Sequence, residues 1–186
     1  ALRGAKLYGG ADRYRRCVND VNRLLARKGR EAGVSITLAD YQDSRLSPLR
    51  SEDLLRAARE HESNPFVSVL AGRMEALVEE HAPDAVGVSL NYLSQALSAF
   101  AMIGLARERF PRVATVLGGG LVTSWLGRTG GRNPFTGLID HCVAGPGEDF
   151  LLGLAGLPAD GAGFARPDYG GFPAEGYLSP GPVLPY

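Results

Sequence analysis

The chain has 186 residues, enough for one well-cored domain with some length to spare. Lys+Arg and Asp+Glu each number 20, so the formal net charge is zero and no global field favours nucleic acid or an anionic membrane. The longest apolar stretch, Ala96 to Ala106, is too short to span a bilayer and lies far from the N-terminus, so neither a membrane span nor a signal peptide is expected and the protein reads as cytoplasmic.

In chain order, Ala1 to Asp12 has no periodicity and reads as a looped lead-in. From Arg13 to Lys28, Tyr14, Cys17, Val18, Val21, Leu24 and Leu25 recur at helical spacing, and Gly29 and Gly33 are expected to end the helix. Val34 to Tyr41 alternates apolar and small polar residues, as a strand does, with Asp40-Tyr41-Gln42-Asp43 as its exit. Ser47-Pro48 and Ser51 start a short helix through Glu60. Asn64-Pro65 starts another, whose stripe of Val67, Leu70, Met74, Leu77, Val78 and His81 is expected to dock on a sheet until Pro83 stops it.

Asp84 to Leu90 reads as a short buried strand and Ser94 to Phe110 as a largely buried helix ended by Pro111. Val113 to Leu117 is the next strand, Gly120 to Gly137 a long irregular segment carrying Trp125, Leu138 to Val143 a further strand, and Asp149 to Leu157 a short helix. Four strands alternating with helices predict an α/β fold with a mostly parallel sheet covered on both faces. Pro158 to Tyr186 turns to Gly, Pro, Tyr and Asp without apolar period and reads as an extended arm or linker.

Function is expected where strands end. Thr115-Val116-Leu117 runs into Gly118-Gly119-Gly120 and then Val122-Thr123-Ser124, so bare backbone and hydroxyls follow a strand, where ligands of open α/β sheets sit. The same glycines would equally serve a tight turn against a close-packed helix. Val88-Ser89-Leu90-Asn91-Tyr92 brings a hydroxyl, an amide and an aromatic ring to the neighbouring strand end, with Asn91 or Ser94 also fit to cap the next helix. Gly145-Pro146-Gly147-Glu148 combines a turn with an acid on a helix's first turn, which capping alone would also explain.

No G-x-G-x-x-G follows a strand and no G-x-x-x-x-G-K-[ST] occurs, which argues against a nicotinamide cofactor or a nucleoside triphosphate. Cys17 and Cys142 supply neither a disulfide framework nor a metal cluster and are expected as buried thiols. His141 and Cys142, adjacent in a strand, point to opposite faces and make a poor nucleophile pair. No catalytic residue and no metal ligand is assigned.

Taken together, D-A-V-G-V-S-L-N-Y, V-L-G-G-G-L-V-T-S and L-I-D-H-C-V-A-G-P-G-E resemble the cobalamin (B12)-binding domain that precedes the catalytic barrel in B12-dependent radical S-adenosylmethionine enzymes. The tail from Pro167 to Tyr186 is similar to the linker into that barrel. The resemblance implies a Rossmann-like, flavodoxin-like three-layer sandwich of strand order 2-1-3-4-5, with residues 1–157 as the cobalamin-binding domain. Residues 158–186 would lead to a radical S-adenosylmethionine barrel of the same polypeptide. It implies a cobalamin pocket built from Ser89, Leu90, Asn91, Tyr92, Gly118, Gly119, Gly120, Val122, Thr123, Gly145, Gly147 and Glu148.

The wider fold's Asp-x-His-x-x-Gly is absent, so the cobalamin is expected base-off without a protein histidine. The chain also lacks Cys-x-x-x-Cys-x-x-Cys, so the 4Fe-4S cluster and S-adenosylmethionine would belong to a domain outside it, and it would not be catalytic alone. The family's first strand is expected to be missing ahead of the Arg13 helix. A second reading is a Rossmann-like structural or docking module that has lost its cofactor, with Trp125, Arg128 and Arg132 as interface residues.

Overall fold

A computed structural model describes residues 10–129 and 133–156. The chain divides between Ser47 and Pro48 into two compact units.

Among the described residues the first unit holds one helix and one hairpin. Helix α1 (Ala11–Glu31) starts earlier and ends later than the apolar spacing predicts, running through Gly29. Gly29 is buried because a Cβ there would stand 2.7 Å from the Val34 carbonyl oxygen, so this glycine lets the helix lie against the next strand instead of ending it. Gly33, at φ +70°, makes the turn. The predicted single strand from Val34 to Tyr41 is instead a hairpin of β1 (Val34–Ile36) and β2 (Tyr41–Asp43), paired antiparallel with Ile36 opposite Tyr41.

The reversal is made by Thr37. Its hydroxyl accepts from the Ala39 and Asp40 amides at 3.2 and 2.9 Å, and its own amide donates to the Asp40 carbonyl at 2.8 Å. A threonine hydroxyl that captures the following amides offers the backbone a turn in place of a ladder. Leu38 sits exposed at the tip, where its amide donates to Asn22 Oδ1 at 2.9 Å. Among the described residues of this unit the buried apolar ones are Val34, Ile36, Tyr41 and Leu46.

The second unit contains the parallel sheet. Helix α2 (Ser51–Arg59) leads through a short 3-10 turn (His61–Ser63) to α3 (Val67–His81), which ends where Ala82 adopts φ +41° just before Pro83. Strand β3 (Ala85–Ser89), helix α4 (Leu93–Arg109) and strand β4 (Ala114–Gly118) form a β-α-β unit with Val86 opposite Thr115 and Val88 opposite Leu117. Helix α5 (Gly120–Arg128), strand β5 (His141–Cys142) and helix α6 (Glu148–Leu154) follow, giving a parallel sheet of order β3-β4-β5.

Helix α4 is the core of this unit. Ala96, Leu97, Phe100, Ala101, Ile103, Gly104, Leu105 and Ala106 are buried, as a helix apolar over most of its circumference requires. Its crossing with α2 depends on small residues: a Cβ on Gly104 would collide with the Ala58 backbone, and Ala57 and Ala58 are themselves buried. The stripe on α3 packs on α4, where Val67, Ala71 and Met74 meet Ala101, Met102 and Leu105, and not on the sheet as its spacing suggests. Leu70 and Leu77 remain exposed, and His81 is exposed at the end of α3.

Two further expectations are corrected. The segment after Gly120 is helical through Arg128, with Val122 and Leu126 buried one turn apart. The predicted strand from Leu138 to Val143 pairs only at His141 and Cys142, because the Leu138 and Ile139 amides both turn back to the Phe135 carbonyl. The chain therefore has five short described strands in two sheets, not four in one. The lead-in of residues 1–9, Arg132 and the tail of residues 158–186 lie outside the described residues.

Candidate functional site

Parallel strands point their carboxyl ends the same way, so the loops after β3, β4 and β5 gather at one end of the sheet. The predicted site residues lie in those loops. The structure joins the three strand ends by hydrogen bonds.

The first junction runs from the β3 end to the start of α5. The Leu90 amide donates to the Gly118 carbonyl at 2.7 Å, and the Leu90 carbonyl accepts from the Leu121 amide at 3.2 Å. Asn91 Oδ1 accepts from the Gly120 amide at 2.9 Å while Asn91 Nδ2 donates to Ser89 Oγ at 3.3 Å. The side chain of Asn91 thus satisfies the first amide of α5, whereas its position in the sequence suggests a cap for α4. Gly119, at φ +106°, makes the approach possible, since a Cβ there would stand 2.5 Å from the Leu90 carbonyl oxygen.

The second junction runs from α5 to the β5 end. Thr123 Oγ1 donates to the Gly119 carbonyl at 3.0 Å and accepts from the Gly145 amide at 2.9 Å. The hydroxyl that the sequence offers to a ligand is therefore already engaged between two loops. Leu90 and Val122 are fully buried, so their side chains belong to the wall behind the site. What the strand ends leave to solvent includes Ser89, Asn91, Tyr92, Gly120, Ser124, Pro146 and Glu148. A Cβ on Gly120 would have only Asn91 Oδ1 within reach, at 3.6 Å, and one on Gly147 only Val143, at 4.0 Å. At these two glycines the backbone itself forms the surface. Glu148 is the one charged side chain among the predicted site residues, at the start of α6, where the dipole favours an acid.

Sequence reasoning missed the residues that brace the amino end of β4 and the connection into β5. Asp140 Oδ2 accepts from Arg107, from the Thr115 amide and from Thr115 Oγ1, at 2.9, 2.8 and 3.0 Å. Buried Asn133 donates to the Ile139 carbonyl at 2.9 Å and accepts from the Phe135 amide at 2.9 Å and from Cys142 Sγ at 3.1 Å. Phe135 lies edge-on to Phe100 at 4.6 Å and to Trp125 at 6.1 Å, and Trp125 itself is half-buried. The Asn133-Pro134 dipeptide was the available signal, as a turn starter whose amide bonds the residue two positions on.

Burial pushes the Cys142 thiol up to about 12, and the pairing with Asn133 holds it in the core. His61 is buried with Nε2 2.8 Å from Glu108 Oε2, and His141 stacks tilted on Phe150 at 5.3 Å. Among the described residues no group of three or more His, Cys, Asp and Glu side chains is placed to share a metal ion. No described helix is long and apolar enough to cross a membrane. In the N-terminal unit a shallow recess of about 350 Å³ lies between Arg30, Ser35, Gln42 and Ser44 and holds none of the predicted site residues.

No protein-family model matches this sequence, and neither a curated protein nor a solved structure does.

Proposed function

We propose that the chain is a cobalamin-binding module of a radical S-adenosylmethionine enzyme, methyltransferase-like, holding the corrin for a catalytic domain elsewhere in the same polypeptide. One observation carries the reading. Three strand ends, with hydroxyls at Ser89 and Thr123 and glycines at 118–120, 145 and 147, lie at one end of a parallel sheet, with open backbone at Gly120 and Gly147 and a mainly neutral polar rim of Ser89, Asn91 and Tyr92.

That donor set fits a broad, flat ligand with amide side chains. Serine and asparagine can exchange hydrogen bonds with carboxamides, an exposed aromatic ring offers apolar area, and glycine backbone admits a ring face closely. In this reading the residues that touch the ligand are Ser89, Asn91, Tyr92, Gly118, Gly120, Gly147 and Glu148. Leu90, Gly119, Val122, Thr123 and Gly145 set the wall on which they stand. Cobalamin, when bound, supplies a methyl-carrying cobalt; this chain's share is to bind and orient it. The sheet runs β3-β4-β5 without reversal, and a Rossmann-like sandwich would place the reversal, and hence the crevice, beside β3 and the Ser89 loop.

A second reading, a Rossmann-like structural or docking domain, is favoured by the contact of Gly119 with Leu90 and the bond of Thr123 to Gly145, since close packing alone accounts for both. Titration with hydroxocobalamin or methylcobalamin, followed by absorbance and by co-elution from a desalting column, separates the two. A band shift with retained corrin supports the first reading. Passage of unbound corrin through the column supports the second.

A further inference from the structure

Strand β3 pairs with β4 on one side only, and among the described residues no strand lies on its other side. The Asp84 carbonyl and the Leu90 amide both bond to β4, so residues 84, 86, 88 and 90 direct their backbone groups that way. In a parallel ladder the alternate residues face away. Ala85, Gly87 and Ser89 therefore present three amides and three carbonyls along the open edge.

Among the described residues that edge lacks three of the devices that keep strands apart. It contains no charged side chain, no proline and no bulge between Ala85 and Ser89. Gly87 and Ser89 are exposed, and a Cβ on Gly87 would meet nothing within 4 Å. Its sequence, A-V-G-V-S, is also nearly palindromic in size about Gly87.

We propose that β3 is a self-association edge, pairing antiparallel with β3 of a second copy about a twofold axis through Gly87. The outward groups then match without remainder. Gly87 faces its own copy, and Ala85 faces Ser89 twice, each pair exchanging two backbone hydrogen bonds. Val86 of one copy lies opposite Val88 of the other on a single face, so four half-buried valines form a cluster across the axis. In this register Asp84 falls opposite Leu90, so like charges do not meet. A twofold contact uses one patch on both partners, which is what a palindromic strand provides. A strand from a longer form of the polypeptide, or an extended segment of another protein, would compete for the same six groups.

Sedimentation velocity of the 186-residue chain across the micromolar range tests this. A concentration-dependent dimer is expected; a monomer throughout overturns the proposal, whatever covers the edge. The double variants A85K/S89K and A85E/S89E each place like charges opposite one another and should raise the dimer dissociation constant by at least about tenfold. Mixed together they should recover a one-to-one heterodimer. Variants with native circular dichroism that still dimerise as tightly as the parent, or that do not recover on mixing, overturn the register. Hydrogen exchange gives a check that needs no substitution. The amides of Ala85, Gly87 and Ser89 should slow as concentration rises, and unchanged exchange there counts against the edge.

Discussion

Gly119 and Leu90 occupy one space: the missing side chain of the first admits the backbone of the second, and a Cβ on Gly119 would stand 2.5 Å from the Leu90 carbonyl oxygen and 2.8 Å from its amide nitrogen. Both atoms are fixed, the amide by the Gly118 carbonyl and the carbonyl by the Leu121 amide, so neither can move aside without breaking a hydrogen bond. The φ of +106° adds a second cost for any L side chain. Gly119→Ala is expected to destabilise the fold by about 3 kcal/mol or more, measured by urea denaturation. Gly120→Ala, beside it, meets only Asn91 Oδ1 at 3.6 Å and is expected to leave stability nearly unchanged. If Gly120 forms part of a ligand seat, its alanine variant weakens corrin retention without weakening the fold.

Asn91 joins two strand ends through Gly120, and its removal should loosen them. Asn91→Ala leaves the first amide of α5 without its acceptor and is expected to cost about 1 kcal/mol, while Asn91→Asp keeps the acceptor beside a helix N-terminus and should cost less. Equal losses in the two variants, read by urea midpoint, would show that the bond to Gly120 contributes nothing.

Helix α4 crosses α2 at Gly104, whose Cβ position is filled by Ala58 backbone. Gly104→Ala would raise helix propensity by up to about 1 kcal/mol if the site were open. Here the clash decides, and the variant is expected to be about 2 kcal/mol less stable or worse, because backbone must shift to admit a methyl group. Thermal denaturation followed by circular dichroism measures it.

The sequence and the structure agree most closely where apolar residues fill a whole element. Leu97, Phe100, Ile103 and Leu105 leave no alternative to a buried α4, and Val116 and Leu117 none to a buried β4. They diverge where a polar side chain competes with the ladder. Val34, Ile36 and Leu38 have strand spacing, but the Thr37 hydroxyl takes two amides and folds the segment in half. The three glycines illustrate the same limit at the site. A glycine run marks a close approach without saying what approaches, and at Gly119 the visitor is Leu90 of the same chain. Asp140 and Asn133 were hidden because their partners, Arg107, Thr115 and Cys142, come together only once strands are in register.

Asn133 and Cys142 bring a buried thiol under the control of a loop. Burial pushes this thiol up to about 12, so at neutral pH it is a thiol and not the reactive thiolate. Iodoacetamide should leave Cys142 unmodified in the folded chain and modify it in urea. Asn133→Ala removes the bonds to Ile139, Phe135 and Cys142 together and is expected to cost about 2 kcal/mol and to speed the labelling of Cys142 under native conditions. Native labelling as fast as in urea would contradict the buried placement.

His61 and Glu108 tie the turn after α2 to the end of α4, and their bond should be visible as a pH dependence of stability. The hydrogen bond from His61, then its charge and that of Arg109, hold the Glu108 carboxyl below its ordinary value of 4.5, against an opposing desolvation. A carboxylate whose folded value is depressed contributes stability that is whole above the unfolded value and is lost as pH falls through the folded one. The contribution is therefore complete at neutral pH and disappears below about pH 4.5. Glu108→Gln removes the titration and keeps the shape. Urea midpoints of parent and variant should differ at neutral pH and converge as the solution is acidified through that range. A constant difference at every pH would show that the carboxylate charge is not what His61 binds.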